Sequence, residues 1–320
     1  MSFWRDETVL VTGAAGFVGA HLASDLESRG ATVVATDIDT VPAERDLNTE
    51  SDRLDFEILD VRDRESIESL FADYDFDLVY HLAAESLVGD AKADPTRAFS
   101  TNVEGTWNVL DVVRESEGVS DGVVVASSDK AYGPMENPPY TEDTALTPDA
   151  PYSVSKMAAD RIARTYHTSY DVPVTVTRCS NIYGPGDLNF SRIVPGTIRK
   201  YLDDEAPVIR SDGSPTRDYL YIDDAVSAYR TLGRQNRSVA GEAFNFGTGT
   251  GTSVLELVSL VGDVMGKDDL EPVVKGTAEG HITHQRVDAE KAEQSLDWRP
   301  ETSLEDGLGR TAQWYEDRLE

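Results

Sequence analysis

Two short stretches of the chain carry residue types that could do acid–base chemistry on a hydroxyl group. Residues 127–130 (SSDK) follow an apolar run, and Tyr152 and Lys156 open a helical pattern after a Pro-containing loop. Positions four apart share one face of a helix. An ammonium near a phenol favours the phenolate, so we expect Lys156 to lower the pKa of Tyr152 and let it take a proton from an alcohol. Alone, this spacing is more typical of a surface pair, so its meaning depends on the rest of the chain.

The run that precedes residues 127–130 indicates how they are positioned. Residues 122–126 (GVVVA) are mostly β-branched and apolar, which is typical of a strand buried on both faces of a parallel sheet. Open sheets of this kind bind ligands outside the carboxyl ends of their strands. Residues 127–130 are therefore predicted to lie at a ligand site.

A dinucleotide site is predicted at the start of the chain. A strand at residues 8–12 (TVLVT), a helical pattern and a second strand at residues 31–35 surround glycines spaced G-x-x-G-x-x-G, namely Gly13, Gly16 and Gly19. These glycines permit a tight turn, and the free N–H groups of the helix N-terminus favour a pyrophosphate. Asp37 is placed to bond the adenosine ribose, and together with Asp39 it would repel a 2′-phosphate. The pattern favours NAD over NADP.

Charge and composition exclude several classes of function. The formal net charge is −30, from 59 acidic against 29 basic residues, which makes nucleic acid an unfavourable partner. Such acidity fits either a cationic partner or a surface suited to high salt, as in halophilic proteins. We favour the second, because the acidic residues are scattered through amphipathic segments.

The other composition signals point to a soluble, cytoplasmic protein without a metal site. Cys179 is the single cysteine, which excludes an intrachain disulfide and a cysteine-based metal site. The five histidines lack metal-ligand spacing: His21, His81, His167, His281 and His284. No signal peptide precedes the first strand, and no apolar run approaches about 18 residues, so no membrane partner is expected.

The glycine spacing together with Tyr152-x-x-x-Lys156 resembles the extended branch of the short-chain dehydrogenase/reductase superfamily, which acts on nucleotide sugars. The resemblance implies an α/β fold with a doubly wound parallel (Rossmann) sheet and a smaller α/β substrate-binding domain. The NAD-binding domain would comprise residues 1–178 and 218–250, and the nucleotide-sugar-binding domain residues 179–217 and 251–320. Relatives usually dimerise through two helices per subunit. The apolar seam of this homodimer could be supplied by Ala98, Val109, Val113, Ala158, Ala159 and Ile162, although some of these residues must also face the sheet.

The resemblance also implies which residues hold NAD. Asp60 and Val61 would border the adenine, and the end of a strand at residues 78–84 would line the adenine ribose. The full set of implied cofactor contacts is Gly13, Gly16, Phe17, Val18, Gly19, Asp37, Asp60, Val61, Leu82, Ala83, Ala84, Asn102, Tyr152 and Lys156.

A local concentration of arginine suggests an anionic substrate, because a guanidinium binds phosphate through paired hydrogen bonds. These residues are Arg178, Arg192, Arg199, Arg210 and Arg217. The alternative is that they pair with nearby acids, for example Arg217 with Asp218. Arg192 and Arg217 match family positions that contact the substrate nucleotide. The proposed substrate-binding set is Asn181, Arg192, Arg210 and Arg217.

By the same resemblance, the reaction begins with oxidation of a sugar at C4. Tyr152 would take the hydroxyl proton while a hydride passes to NAD, Lys156 would bond the nicotinamide ribose, and Ser128 would bond the reacting oxygen. A 4-epimerase then returns the hydride to the opposite face of C4. A 4,6-dehydratase instead needs a base for the C5 proton and an acid for the departing C6 hydroxyl, and it returns the hydride to C6.

Asp129 and Lys130 favour the dehydratase. Family epimerases typically have small, non-ionisable residues here, whereas the Asp-Lys pair after Ser128 resembles CDP-glucose 4,6-dehydratases. Asp129 would be the C6 acid, and Lys130 the C5 base if burial and Lys156 depress its pKa. In the alternative, Lys130 only holds Asp129 ionised. Two other functions stay open: a UDP-glucose-type 4-epimerase, and a non-catalytic NAD-binding protein of this fold.

Overall fold

In the computed structural model of the chain, residues 3–45, 47–116, 118–276 and 283–319 are described. The strands are β1 (Thr8–Thr12), β2 (Thr32–Asp37), β3 (Leu54–Ile58), β4 (Leu78–His81), β5 (Gly122–Ala126), β6 (Val174–Cys179), β7 (Asn181–Tyr183), β8 (Val208–Ile209), β9 (Thr216–Arg217), β10 (Tyr219–Tyr221), β11 (Ala243–Phe246), β12 (Thr252–Ser253), β13 (Val273–Val274) and β14 (His284–Gln285).

The helices are α1 (Phe17–Ser28), α2 (Arg64–Asp73), α3 (Val88–Ala93), α4 (Pro95–Phe99), α5 (Gly105–Glu115), α6 (Pro151–Tyr170), α7 (Ile193–Leu202), α8 (Ile222–Gln235), α9 (Val254–Val264), α10 (Glu290–Leu296) and α11 (Leu304–Leu319). Short 3-10 turns span Phe3–Asp6, Asp129–Tyr132 and Asn236–Val239, and a π-helical turn spans Ser100–Glu104. No described helix has a run long and apolar enough to cross a bilayer.

Seven of the described strands form one parallel sheet in the order β11-β6-β5-β4-β1-β2-β3. Side chains alternate between the two faces of a strand, and both faces of this sheet are covered by helices. On β1, Val9 and Val11 therefore pack into one core cluster with α1 and α8, while Leu10 packs into the other with α2 and α5. The predicted doubly wound sheet is confirmed, including the return of residues 243–246 as β11.

The strand order reverses direction between β1 and β4, which leaves a crevice at the carboxyl ends of these strands. The remaining strands build small sheets next to it. Strand β7 pairs with β10, β9 lies between β12 and β14, and β8 pairs with β13. Of the arginines that the sequence singled out, Arg217 lies on β9 and Arg210 directly follows β8.

Part of the candidate dimer seam faces the interior of the subunit, as expected. Ala98, Val109, Val113 and Ala159 are buried; Val109 and Val113 pack in the core on one side of the sheet, and Ala98 packs with Tyr152. The same helices expose Phe99, Trp107 and Tyr170. The homodimer and its seam stay a prediction.

Candidate active site

The glycine loop packs so tightly that side chains would not fit. Gly13 has a positive φ of 74°, and a Cβ there would lie 2.7 Å from the backbone nitrogen of Ala83 on the loop after β4. A Cβ on Gly19 would collide with the carbonyl oxygen of Gly13. The loop therefore brings the start of α1 against the neighbouring strand end, as the spacing predicts.

A cleft of about 410 Å³ opens over this loop. The lining includes Gly13, Gly16, Phe17, Val18, Gly19, Asp37, Asp60, Val61, Leu82, Ala83 and Ala84. The first five residues present the N-terminus of α1, where free N–H groups suit a pyrophosphate. The structure thus brings together most of the predicted cofactor contacts, and the shape and donors of the cleft fit a dinucleotide.

Asp37 is tied to the loop that it is predicted to serve. Its Oδ2 accepts a hydrogen bond from the backbone N–H of Ala15 at 2.9 Å, and its Oδ1 accepts one from Ile38 at 2.8 Å. Partial burial raises the pKa of this carboxyl group above its ordinary value, while the backbone hydrogen bonds oppose that shift. The carboxylate at the end of β2 is therefore fixed in orientation before any ligand is bound.

Asn102 does not line the cleft. It lies in the π-helical turn, where its carboxamide accepts from the N–H of Glu85 at 2.7 Å and donates to the hydroxyl of Ser155 at 2.8 Å. Asn102 thus connects the loop after β4 to α6 and positions both, instead of facing the cleft itself.

Sequence reasoning missed Arg45 and Arg62 in the same cleft. Arg62 forms a bidentate ion pair with Asp60, which lowers the pKa of that carboxyl group. Arg45 contacts the carbonyl oxygen of Gly186 at 3.4 Å, and burial lowers the pKa of its guanidinium. Arg45 belongs to an irregular segment without periodicity, so no pattern could have identified it. Arg62 could have been identified from the sequence, because it is a basic residue two positions after the predicted cofactor contact Asp60.

The second predicted site lies on α6, which begins with Pro151 in its first turn. Tyr152, Lys156 and Asp160 recur every four residues, so they lie on one face, and all three are buried. Tyr152 is 8% and Lys156 6% exposed. Asp160 accepts two hydrogen bonds from Arg178 on β6, at 2.8 and 3.1 Å, which fixes the helix to the sheet.

The expected effect of Lys156 on Tyr152 is wrong in this structure. Burial raises the pKa of Tyr152 to about 12, and only a hydrogen bond with Ser128 and the more distant Arg192 oppose it. Burial also lowers the pKa of Lys156 to about 8, and its Nζ donates to the carbonyl oxygen of Ala126 at 2.8 Å. Desolvation disfavours both charged forms, so spacing alone did not predict the protonation states.

Residues 128–130 form the facing part of the site. The hydroxyl of Ser128 caps the turn at Asp129–Tyr132 by accepting from the N–H of Lys130 at 3.2 Å, and it donates to Oδ1 of Asp129 at 3.1 Å. Asp129 is fully buried, and its Oδ2 has no hydrogen-bond partner among the described residues. A buried polar atom of this kind is suited to a ligand.

Lys130 is held between two acceptors. Its Nζ lies 3.6 Å from Oδ1 of Asp129 and donates to Oδ1 of Asn181 at 3.0 Å. Asn181 in turn donates to the carbonyl oxygen of Asp218 at 3.2 Å. The structure therefore joins the predicted acid, the predicted base and one predicted substrate contact in a single cluster.

The arginines divide into two groups. Arg178 is buried in its ion pair with Asp160, so it has a structural role, whereas Arg192 lines the cleft and pairs with Asp187 at 3.0 Å. Arg217 does not pair with Asp218, whose carboxylate accepts from Thr248 and Gly249 instead. Arg210 is exposed just after β8.

Of the five histidines, His281 lies outside the described residues. His81 ends β4 and is buried between the hydroxyls of Thr12 at 2.9 Å and Thr106 at 3.1 Å. Burial and the nearby Lys156 lower its pKa to about 3, so it stays neutral at the junction of the cleft and the α6 site.

Comparisons with known proteins agree with this arrangement. The family model for GDP-mannose 4,6 dehydratase matches residues 10–311. A dTDP-glucose 4,6-dehydratase of Streptomyces griseus is 35% identical over 317 residues, which cover 96% of this chain and 93% of that protein. A crystal structure of a dTDP-glucose 4,6-dehydratase from Streptomyces venezuelae with NAD bound has a TM-score of 0.88 at 31% identity, covering 97% of both chains.

An epimerase is similar to the same degree. The UDP-glucose 4-epimerase of Thermotoga maritima, crystallised with UDP-glucose, has a TM-score of 0.87 at 30% identity. The match covers 98% of this chain and 100% of that one. Overall similarity therefore does not separate the two reactions, and the residues of the site must do so.

Proposed function

The chain belongs to the extended short-chain dehydrogenase/reductase family of nucleotide-sugar dehydratases and epimerases, and from this premise we propose that it is an NAD-dependent nucleotide-sugar 4,6-dehydratase. The observation that carries the proposal is the buried Asp129 beside Lys130, directly after Ser128. An epimerase needs no acid and base for C5 and C6. A dehydratase needs both.

The proposed substrate is a nucleoside diphosphate glucose, converted to its 4-keto-6-deoxy product. The Asp-Lys pair resembles CDP-glucose enzymes, whereas the named relatives are dTDP-glucose dehydratases. Arg192 and Arg217 would hold the diphosphate nucleotide, since guanidinium groups pair well with phosphate oxygens. Arg210 would contribute only if its exposed side chain turned toward the bound nucleotide.

NAD would lie in the cleft and supply a hydride acceptor for C4 and a donor for C6. Gly13, Gly16 and Gly19 would approach its pyrophosphate and Asp37 its adenosine ribose. Tyr152 would receive the proton of the C4 hydroxyl as the phenolate, with Ser128 bonded to the same oxygen. The proposal therefore requires that the binding of NAD and substrate lower the raised pKa of Tyr152. Lys156 would orient the nicotinamide ribose.

The elimination step assigns opposite proton tasks to Asp129 and Lys130. Asp129 would give a proton to the departing C6 hydroxyl, and Lys130 would take the C5 proton. Lys130 Nζ lies 3.6 Å from Oδ1 of Asp129, so the two groups that would exchange protons with the sugar are next to each other. Lys130 would exchange protons with solvent and then donate one to C5 as the hydride reaches C6.

Product analysis tests the proposal. The protein would be mixed with CDP-, dTDP-, UDP- and GDP-hexoses and the products examined by NMR, once in water and once in deuterated water. We expect a glucose nucleotide to lose the C6 hydroxyl and to gain deuterium at C5. The second candidate, a 4-epimerase, is favoured by the Thermotoga maritima structure. Clean conversion to the galactose nucleotide, with C6 still hydroxylated, would establish that alternative.

A further inference from the structure

A buried network of side chains joins the two parts of the proposed reaction centre. The C4 pair, Tyr152 and Lys156, lies on α6, whereas the C5/C6 pair, Asp129 and Lys130, lies on the turn Asp129–Tyr132. The proposed 4,6-dehydration, on which this inference rests, requires both pairs to reach neighbouring carbons of one sugar. The separation of the turn from α6 therefore matters for the reaction, since small misplacements of reacting groups are costly.

Arg178 on β6 holds α6 in place. Its Nε and one terminal nitrogen donate to the two carboxylate oxygens of Asp160, at 2.8 and 3.1 Å. Asp160 follows Lys156 by four residues, which is about 6 Å along the helix axis. Arg178 is 1% exposed and Asp160 is fully buried, so water does not compete for these hydrogen bonds.

The other terminal nitrogen of the same guanidinium holds the turn. Nη1 of Arg178 donates at 2.9 Å to the hydroxyl of Tyr132, the last residue of the turn. That hydroxyl donates its own proton to Oδ1 of Asn245 on β11 at 2.7 Å, and the ring of Tyr132 stacks on Tyr140 with centres 4.7 Å apart. Burial raises the pKa of Tyr132 to about 12, so the hydroxyl keeps this proton. Arg178 is therefore a direct link between the turn and α6.

The members of this network are placed to support the reaction centre without taking part in the chemistry. Asp160, Arg178 and Tyr132 are all buried, and none of the three lines the dinucleotide cleft. The charge of Arg178 is paired with Asp160, so the network adds little net charge to the reaction centre. Its effect on the reaction must come from geometry.

We propose that Tyr132 and Arg178 are positioning residues that hold the turn at the distance from α6 that the elimination requires. The C5/C6 pair would move with the turn if this link were lost. The C4 pair would stay in place, because both of its residues belong to α6 itself. The network therefore acts on the elimination more than on the first oxidation.

Tyr132→Phe tests the link, because it removes the hydroxyl that accepts from Arg178 and keeps the ring in its stack. We expect the elimination to slow roughly 10- to 100-fold, while the oxidation at C4 changes by less than about twofold. Reduced nicotinamide should then accumulate during turnover, which stopped-flow absorbance measures, and single-turnover NMR measures the deoxygenated product. Tyr201→Phe is the matched control, since this equally buried hydroxyl on α7 donates to the carbonyl oxygen of Val258 at 3.4 Å.

Arg178→Lys tests the same link from its other end. The ammonium keeps a positive charge beside Asp160, but it lacks the fork geometry with which the guanidinium serves Asp160 and Tyr132 together. We expect the same imbalance between the two steps. The double variant with Tyr132→Phe should be no slower than the more severe single variant, because both substitutions break one link.

Other results would overturn the inference. Equal slowing of both steps in Tyr132→Phe would show a merely structural role, since a loss of folded protein lowers both rates by one factor. Unchanged rates, or the same imbalance in Tyr201→Phe, would also contradict it. Circular dichroism melts give the folded fraction of each variant, and if Arg178→Lys does not fold, the comparison of the two Tyr→Phe variants decides alone.

The failure of this inference can be distinguished from the failure of the proposed function. If the wild-type protein forms no 4-keto-6-deoxy sugar from any of the nucleotide hexoses, the proposed function fails and the inference fails with it. If the wild type forms this product and Tyr132→Phe shows no imbalance between the steps, only the positioning role fails.

Discussion

The dinucleotide cleft and the reaction centre lie at neighbouring strand ends of one sheet, but different parts of the chain build them. The cleft is made largely of backbone around Gly13, Gly16 and Gly19, and it is open. The reaction centre is made of side chains, and Asp129, Tyr152 and Lys156 are buried. The shape of the cleft determines which ligand it can bind, whereas the burial of charged groups determines which proton transfers the proposed reaction centre can perform.

This contrast predicts that changes in the reaction centre alter rates and that changes in the cleft alter binding. The largest effect is expected for Tyr152→Phe, which removes the group that receives the C4 proton. Formation of reduced nicotinamide should fall about 10⁴-fold, at the upper end for a proton-transfer group, while NAD affinity is unchanged. Stopped-flow absorbance measures the step. Tyr80→Phe is the matched control, since it removes a buried hydroxyl that donates to the carbonyl of Tyr229 at 3.2 Å; equal losses in both variants would contradict the assignment.

Asp129→Asn should slow the elimination step without preventing the first oxidation. The first oxidation is retained, but elimination slows by about 10²- to 10³-fold because the C6 acid is lost, so reduced nicotinamide accumulates on the enzyme. Single-turnover kinetics with product NMR measures both steps. A 4-epimerase would be scarcely affected by this substitution, and that result would favour the alternative function.

A smaller effect is expected in the cleft. Asp37→Asn keeps the volume but removes the charge that would bond the ribose hydroxyls, so the NAD dissociation constant should rise about 10- to 100-fold, with kcat at saturating NAD little changed. Discrimination against NADP should shrink as well. Calorimetry with both cofactors measures this, with Asp52→Asn, which is exposed and outside the cleft lining, as control. A fall in kcat at saturating NAD would show that Asp37 also affects the reaction, which would contradict the assignment of binding to the cleft and rate to the reaction centre.

The smallest effect is expected for His81, which lies where the cleft meets the proposed reaction centre. Its pKa is about 3 in the folded chain and about 6.5 when unfolded. The unfolded chain therefore binds the extra proton between these values, so the free energy of unfolding should fall by up to about 1.4 kcal/mol per pH unit as the pH drops below 6.5. Denaturant melts of wild type and His81→Asn measure the difference. Identical pH slopes would show that His81 is not neutral in the fold.

The division also explains what could be predicted from sequence. The glycine loop, Asp37 and the sheet followed from spacing and β-branched runs, because these features constrain the backbone directly. The protonation of Tyr152 did not follow, since burial outweighs the nearby ammonium and is a tertiary property. The sequence left open whether Arg178 binds substrate or pairs with an acid, because its partner Asp160 lies on another element.

Residues without a local pattern were the hardest to place. Arg45 enters the cleft from an irregular segment, and its neighbour Gly186 is far along the chain. The sequence could not show which of the candidate seam residues face the sheet, because Val109 and Val113 are apolar in either setting, and only the structure shows that they pack in the core beside the sheet. An apolar side chain can face either the sheet or a partner subunit, so residue type alone does not distinguish the two.

The burial of the proposed reaction centre has a consequence for how the protein uses reducing equivalents. In the proposed cycle the hydride removed from C4 returns to the same sugar at C6, so the enzyme draws nothing from the pool of reducing equivalents. That return requires the reduced cofactor to outlast the elimination without leaking electrons to oxygen or to other acceptors. The burial of Tyr152 and Lys156 would help to keep this stage of the proposed cycle away from solvent. Because the proposed cycle ends with the cofactor in its starting state, turnover would need no external oxidant or reductant.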